Sequence, residues 1–341
     1  MRMGCLQLDA VLGDPAAPMA RADALLTARE REAAAKGGRL RLDVLVLPEM
    51  AFAGYTFESS AEVLPLAERA GEGACAAWCR RWASRLSCVV VCGFPRLATR
   101  GACEGQDEGR SDREVVANGS SGSGASRGTA EAEAAPTPLL YNSQLVMAPD
   151  GSMLAAYDKS FLYVTDKTWA TEGAGFSVVE LPPPLSLRCA LGICMDINPY
   201  EFEAPFEAYE LARFCAAEEV ELLLFSSAWC NRHPEEPPEL AQAPDGRETL
   251  EYWASRLQPL IRRRDGGGMP RRAYFVCADR VGVEHGTTFC GTSCVLSLAE
   301  PAVLGALGTH EQGLLLCELT LDDRGEEEWS EESAPAAELA K

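Results

Sequence analysis

Histidine is nearly absent from this chain: only His233, His285 and His310 occur, and no two stand at a spacing that would let them share a metal. None of the 14 cysteines forms a CxxC pair either. A zinc site is therefore not expected. Basic residues are also scarce, with 31 Lys plus Arg against 51 Asp plus Glu for a net charge of −20. A surface of that sign repels nucleic-acid phosphates and anionic membranes, so neither is expected as a partner. No apolar run is long enough for a membrane-spanning helix, and Met1 leads within three residues into a strand-like segment, so no signal or transit peptide is expected. Without a secretory signal, the cysteines read as reduced thiols of a cytoplasmic or nuclear protein.

What is present is a chain of 341 residues, 47% hydrophobic, long enough for a full core and with no second hydrophobic block. We expect one domain over 1–324. It is interrupted at about 100–138, where Gly, Ser, Ala, Glu and Asp replace apolar residues, and is followed by an acidic tail at 325–341. Alternation or short apolar runs predict strands at 1–10, 42–48, 88–94, 139–148, 153–157, 187–194, 220–226, 273–278, 289–298 and 313–321. Helical composition or spacing covers 18–36, 72–86, 199–219 and 248–261, with Pro259 expected to kink or shorten the last. Cys75 and Cys79 share a face of the second helix and read as core. Strands apolar throughout, with helices between them, are the pattern of sheets buried between layers. Two such sheets predict an α/β fold, a four-layer α-β-β-α sandwich.

Three residues fall at the C-terminal ends of separate predicted strands: Glu49 after 42–48, Lys159 after 153–157, and Cys194 at the end of 187–194. Each alone has an ordinary explanation. Acids after strands are usually solvated, lysines snorkel to water, and cysteine is commonly inert core. Together they supply a carboxylate base, a cation and a thiol, which suffice to hydrolyse an amide. The helix predicted from residue 199 would also place N-terminal amides near Cys194. A Cys–His hydrolase would need a histidine near such a strand end, and none of the three is well placed.

Leu47-Pro48-Glu49, Tyr157-Asp158-Lys159 and Gly192-Ile193-Cys194-Met195-Asp196 resemble, in order and spacing, the three signature motifs of the nitrilase superfamily of carbon–nitrogen hydrolases. The likeness continues into Asp279-Arg280-Val281-Gly282 and Phe289-Cys290-Gly291-Thr292-Ser293. More narrowly, Lys159 to Tyr163 with Thr165-Asp166, and Gly192 to Asp196 with Asn198 to Phe206, are similar to the fungal-type protein N-terminal asparagine/glutamine amidase family.

This resemblance implies a cofactor-free deamidation of N-terminal Asn and Gln to Asp and Glu, a step of the N-degron pathway. Cys194 would be the nucleophile that forms the thioester, Glu49 the base, and Lys159 with the Met195 amide the oxyanion donors. Asp166 would be a second acid, with Glu172 in reserve. The substrate's α-ammonium would need an anion; Asp196 comes first, with Glu172, Glu201 and Glu203 behind it, although Asp196 is equally placed to cap the following turn. Trp169 would wall the pocket or belong to the core. The partners implied are polypeptide N-termini, and the protein would be a monomer or homodimer.

Two departures stand out. Asn198 lies where many relatives acting on small acids carry an arginine, which argues against a free carboxylate in the substrate. Asp279 stands where relatives often have asparagine. The alternatives are a small-molecule amidase or nitrilase-like hydrolase of free ω-amides, nitriles or carbamoyl compounds, and a non-catalytic scaffold.

Overall fold

The computed structural model describes residues 1–99, 138–231, 246–261 and 273–320. The expected insertion, apart from its last residue, and the acidic tail lie outside the described residues. In chain order the elements are β1 (Arg2–Asp9), α1 (Ala16–Ala35), β2 (Val44–Val46), α2 (Ser60–Val63), α3 (Gly73–Leu86), β3 (Val89–Thr99), β4 (Pro138–Met147) and β5 (Met153–Asp158). There follow β6 (Val178–Glu180), β7 (Arg188–Ile193), α4 (Glu210–Ala217), β8 (Leu222–Ser227), α5 (Arg247–Arg256), β9 (Tyr274–Glu284), β10 (Thr287–Cys290), β11 (Cys294–Ser297), β12 (Ala302–Ala306) and β13 (Gly313–Glu318). Among the described residues no helix is long and apolar enough to cross a membrane.

The strands form two mixed sheets. In the first, β1 pairs antiparallel with β13 and parallel with β2, β2 runs parallel to β3, and β4 and β5 follow antiparallel. In the second, β7, β8 and β9 are parallel, with β6 antiparallel on one side and β11 and β12 on the other. The sheets join where Leu8 and Asp9 at the end of β1 run beside Arg280 and Val281 of β9.

Strand alternation divides the apolar side chains between layers. Met3, Val44, Val46 and Val91 of the first sheet meet Leu191, Leu224 and Val276 of the second in the middle. On the outside, Leu26 of α1 with Trp78 and Trp82 of α3 cover the first sheet, and Leu211 of α4 with Trp253 of α5 cover the second. This is the expected four-layer sandwich.

The parallel strands point their C-terminal ends to one place, and buried polar groups clamp them there. Gln144 Nε2 donates to Ser226 Oγ at 2.8 Å, Ser226 Oγ donates to Leu47 O at 2.8 Å, and Glu49 N–H donates to Ser227 O at 3.3 Å. The ends of β2, β4 and β8 are thereby fixed to one another across the interlayer.

Three expectations need correction. The helix predicted at 199–219 exists only as α4. Pro199 and Pro205 each open a short 3₁₀ turn, and Glu201, Phe202 and Tyr209 adopt positive φ, so the apolar spacing is spread over turns that cannot join. The segment 289–298 is two strands, because Gly291 and Thr292, both at positive φ, turn the chain between them. Strands β6 and β12 went unpredicted. The first is too short to show a period, and the second exposes Val303 and Leu304.

Candidate active site

The LPE segment leaves β2 at Pro48, and there Gly93 of β3 backs directly onto it: a Cβ at Gly93 would lie 2.4 Å from Pro48 O and 2.6 Å from the Glu49 Cα. Only glycine lets the chain pass this close. Glu49 is thus pressed into the interior, fully buried. Its Oε1 accepts from Lys159 Nζ at 2.6 Å and from Asn142 Nδ2 at 2.7 Å, while Oε2 has no hydrogen-bond partner among the described residues. Burial raises its pKa above the ordinary carboxylate value, and the Lys159 charge opposes that rise.

Lys159 is equally buried. Its ammonium bridges Glu49 Oε1 and Asp166 Oδ2, both at 2.6 Å, and lies 5.7 Å from the centre of the Tyr55 ring. Burial works against the charge, but Asp166 and Glu49 outweigh it, and the pKa ends above that of a free lysine. Two of three ammonium N–H groups are committed, leaving one for another acceptor. Asp166 is held in turn by Asn142 Nδ2 at 2.9 Å and by Tyr163 N–H at 2.9 Å. Asn142 therefore bridges both acids from β4.

Cys194 ends β7 with φ at +41°, a left-handed conformation uncommon for a residue with a Cβ. Gly192, two residues earlier, allows β7 to lie against Phe225, whose ring carbon would be 2.9 Å from a Cβ there. The helix expected beyond Cys194 is replaced by a single 3₁₀ turn, Cys194–Ile197, whose first amides, Met195 N–H among them, are the available donors. The thiol pKa is raised by burial and by Glu49; Lys159 and a hydrogen bond from the Ala228 N–H oppose the rise. Burial thus favours the neutral thiol, beside a buried carboxylate and a buried ammonium.

Tyr163, Cys194, Met195, Asn198, Phe202, Ala228, Trp229 and Cys230 line a cleft of about 130 Å³ at this point. That is small beside the ~300 Å³ or more that holds a drug-sized ligand, and it suits one short side chain. Among the described lining residues there is no cation for a carboxylate. A larger groove of about 530 Å³ between α5 and β11–β12 contains neither cysteine nor lysine and lies apart from this chemistry.

The comparisons agree with the geometry. A carbon–nitrogen hydrolase family model matches residues 2–111. The protein N-terminal amidase of Schizosaccharomyces pombe is 31% identical over 291 residues, covering 81% of this chain and 86% of that protein. The chain belongs to the protein N-terminal amidase family of carbon–nitrogen hydrolases. The Saccharomyces cerevisiae member is 28% identical over 205 residues, 55% of this chain and 37% of that protein. A crystal structure of N-terminal amidase with an Asn-Glu-Ala peptide shares the fold, with a TM-score of 0.67 at 19% identity over 94% of this chain and 97% of that one.

Within this amidase fold, Glu49, Lys159, Asp166 and Cys194 come together, whereas the proposed ammonium ligands do not enter the described lining. Asp196 already has its partners inside the fold. It is fully buried, its Oδ1 accepts the Ser160 and Phe161 amides at 3.1 and 2.8 Å, and its Oδ2 accepts the Ile193 amide and the Tyr157 hydroxyl, both at 2.8 Å. Both oxygens are taken, and Asp196 ties the turn that begins at Cys194 to β5 and the loop after it. Glu201 pairs with Lys167, Glu172 accepts from the Tyr200 hydroxyl at 3.1 Å, and Glu203 is exposed. Glu172 is exposed, whereas Asp166 is buried against Lys159. Of the two places open to Trp169 the structure has it in a buried cluster, edge-on to Phe57, and the tryptophan lining the cleft is Trp229.

The histidines His285 and His310 are exposed, and His233 lies outside the described residues. Asp279 Oδ1 accepts the Trp229 and Arg280 amides at 2.9 and 2.8 Å, and burial raises its pKa well above the usual range. Those two amide donors favour its charged form and oppose the rise. Sequence reasoning missed Asn142 and Trp229. The signal for Asn142 was three consecutive polar residues, Asn142-Ser143-Gln144, inside a strand whose flanks are apolar.

Proposed function

We propose that this protein hydrolyses the side-chain amide of N-terminal Asn and Gln residues of polypeptides, giving Asp and Glu with release of ammonia. The observation that carries the reading is the unpartnered Glu49 Oε2 in a site that also holds a buried ammonium and the Cys194 thiol. In the proposed cycle Glu49 takes the thiol proton as sulfur attacks the carboxamide carbon, so the thiolate exists only as the C–S bond forms. The oxyanion accepts from the third Lys159 N–H and from the Met195 amide, each donor worth on the order of 3 kcal/mol. Glu49 returns its proton to the departing ammonia, and the thioester remains. Water, deprotonated by Glu49, then cleaves the C–S bond and restores the thiol. Asp166 and Asn142 hold Lys159 and Glu49 in place throughout.

The small cleft, with no charged side chain among its described lining residues, supports a primary amide over a carboxylate, and the N-terminal amidase activity by which the relatives are named supports a chain terminus over a free amide. Mass spectrometry of Asn- and Gln-initiated peptides tests both points, since each deamidation adds about one dalton. Expected are turnover of both peptides, none of an N-acetylated Asn peptide, and none with Cys194→Ala. Equal turnover of the acetylated peptide or of free glutamine would replace this reading with a small-molecule amidase.

A further inference from the structure

Three of the buried thiols form a group the proposed reaction does not use. Cys75 and Cys79 stand one turn apart on α3, and Cys92 of β3 faces them, outside the first sheet and among the apolar side chains of that layer. The Cys75 and Cys92 sulfurs are 3.7 Å apart, and all three lie within 4.8 Å of one another. A metal with M–S bonds of ~2.3 Å holds its sulfurs about 3.8 Å apart in a tetrahedron and about 4.0 Å apart in a plane. The observed separations are those of sulfurs that need little adjustment to share one ion.

We propose that Cys75, Cys79 and Cys92 bind a single soft monovalent cation of the Cu(I) class in three-coordinate thiolate geometry. The ligand set decides the class. Structural zinc is almost always four-coordinate, and the described residues offer three sulfurs in an apolar layer, a set that soft d¹⁰ ions accept. On binding, three M–S bonds form and the sulfur-bound protons go to solvent; no electron is transferred. Cys75, in the first turn of α3, is the least buried of the three. The site also touches the catalytic layer from behind: the Cys92 thiol lies 3.6 Å from Gly93 O, and Gly93 N–H donates to Pro48 O at 3.1 Å, next to Glu49. A bound ion would tie α3 to the strand that supports the base.

The test is anaerobic titration of the reduced full-length protein with Cu(I) against a chromophoric Cu(I) chelator. Wild type, Cys79→Ala, Cys92→Ala and Cys194→Ala are compared, with X-ray absorption on the loaded wild type. Expected are one equivalent retained by wild type and by Cys194→Ala, at least tenfold weaker retention in the other two variants, and three sulfurs at about 2.3 Å. The thermal midpoint should rise with Cu(I) in wild type and in Cys194→Ala, and not in the other two variants. Failure of wild type to retain the ion, or loss of retention in Cys194→Ala, would overturn the site. So would fewer than three sulfur neighbours, a measurement that stands even if the alanine variants do not fold.

Discussion

Glu49 and Asp196 are both fully buried carboxylates beside the cysteine strand, and they differ in one respect. Each oxygen of Asp196 accepts two donors, whereas Glu49 spends one oxygen on Lys159 and Asn142 and leaves the other without a partner among the described residues. A saturated carboxylate is structural, because any new partner must displace an existing donor. A half-satisfied one beside a buried cation can take and return a proton. Burial alone does not separate the two roles; the count of donors does.

The widest gap between the two acids should come from their amides. Glu49→Gln removes the base with little change of shape, and kcat should fall by about 10³-fold in steady-state ammonia release, within the usual range for a lost general base. The thermal midpoint should stay near wild type. Asp196→Asn should do the reverse. Whichever way the amide is turned, its NH₂ faces a backbone N–H, so stability should drop by about 2–3 kcal/mol in denaturant melts. The folded fraction should keep its KM for an Asn-initiated peptide; a sharp rise in KM would return Asp196 to substrate binding.

Asn142→Ala sharpens the comparison by stripping Glu49 of a donor. A loss of ~10- to 100-fold in kcat is expected, and the acid limb of the rate profile should move up, because the hydrogen bond from Asn142 lowers the Glu49 pKa. A merely structural Asn142 would leave that limb in place. In wild type the limb itself should lie above the usual glutamate value of about 4.3, since the base must be ionised and burial raises its pKa. The rate is then lost as pH falls through that raised value. The smallest effect is expected at Trp169→Phe. The indole N–H is buried with no partner among the described residues, so its removal should cost less than ~1 kcal/mol and leave KM unchanged.

The site was legible in the sequence to the extent that its members are local signals. Glu49, Lys159 and Cys194 each follow an apolar strand, and strand ends are visible as runs that stop. Asn142 was not legible, although it touches both acids. Its partners lie 93 and 24 residues away, and only the antiparallel register of β4 between β3 and β5 turns its amide toward them. Trp229 follows β8 like any loop residue, and it lines the cleft because Asp279, 50 residues on, holds its amide. The helix forecast at 199–219 failed for a different reason: apolar spacing ignores the two prolines that break the backbone ladder.

Sequence alone determined the chemistry available here, an acid, an amine and a thiol at three strand ends, because strand periodicity and side-chain type are properties of short segments. It also determined the layered architecture, since wholly apolar strands must be covered on both faces. Which carboxylate is free to react was decided by tertiary structure. Three of the four donors that saturate Asp196 come from β5 and the loop after it and the fourth from Ile193 of β7, those that half-satisfy Glu49 come from β4 and Lys159, and the full hydrogen-bond balance is fixed only when distant strands settle into register.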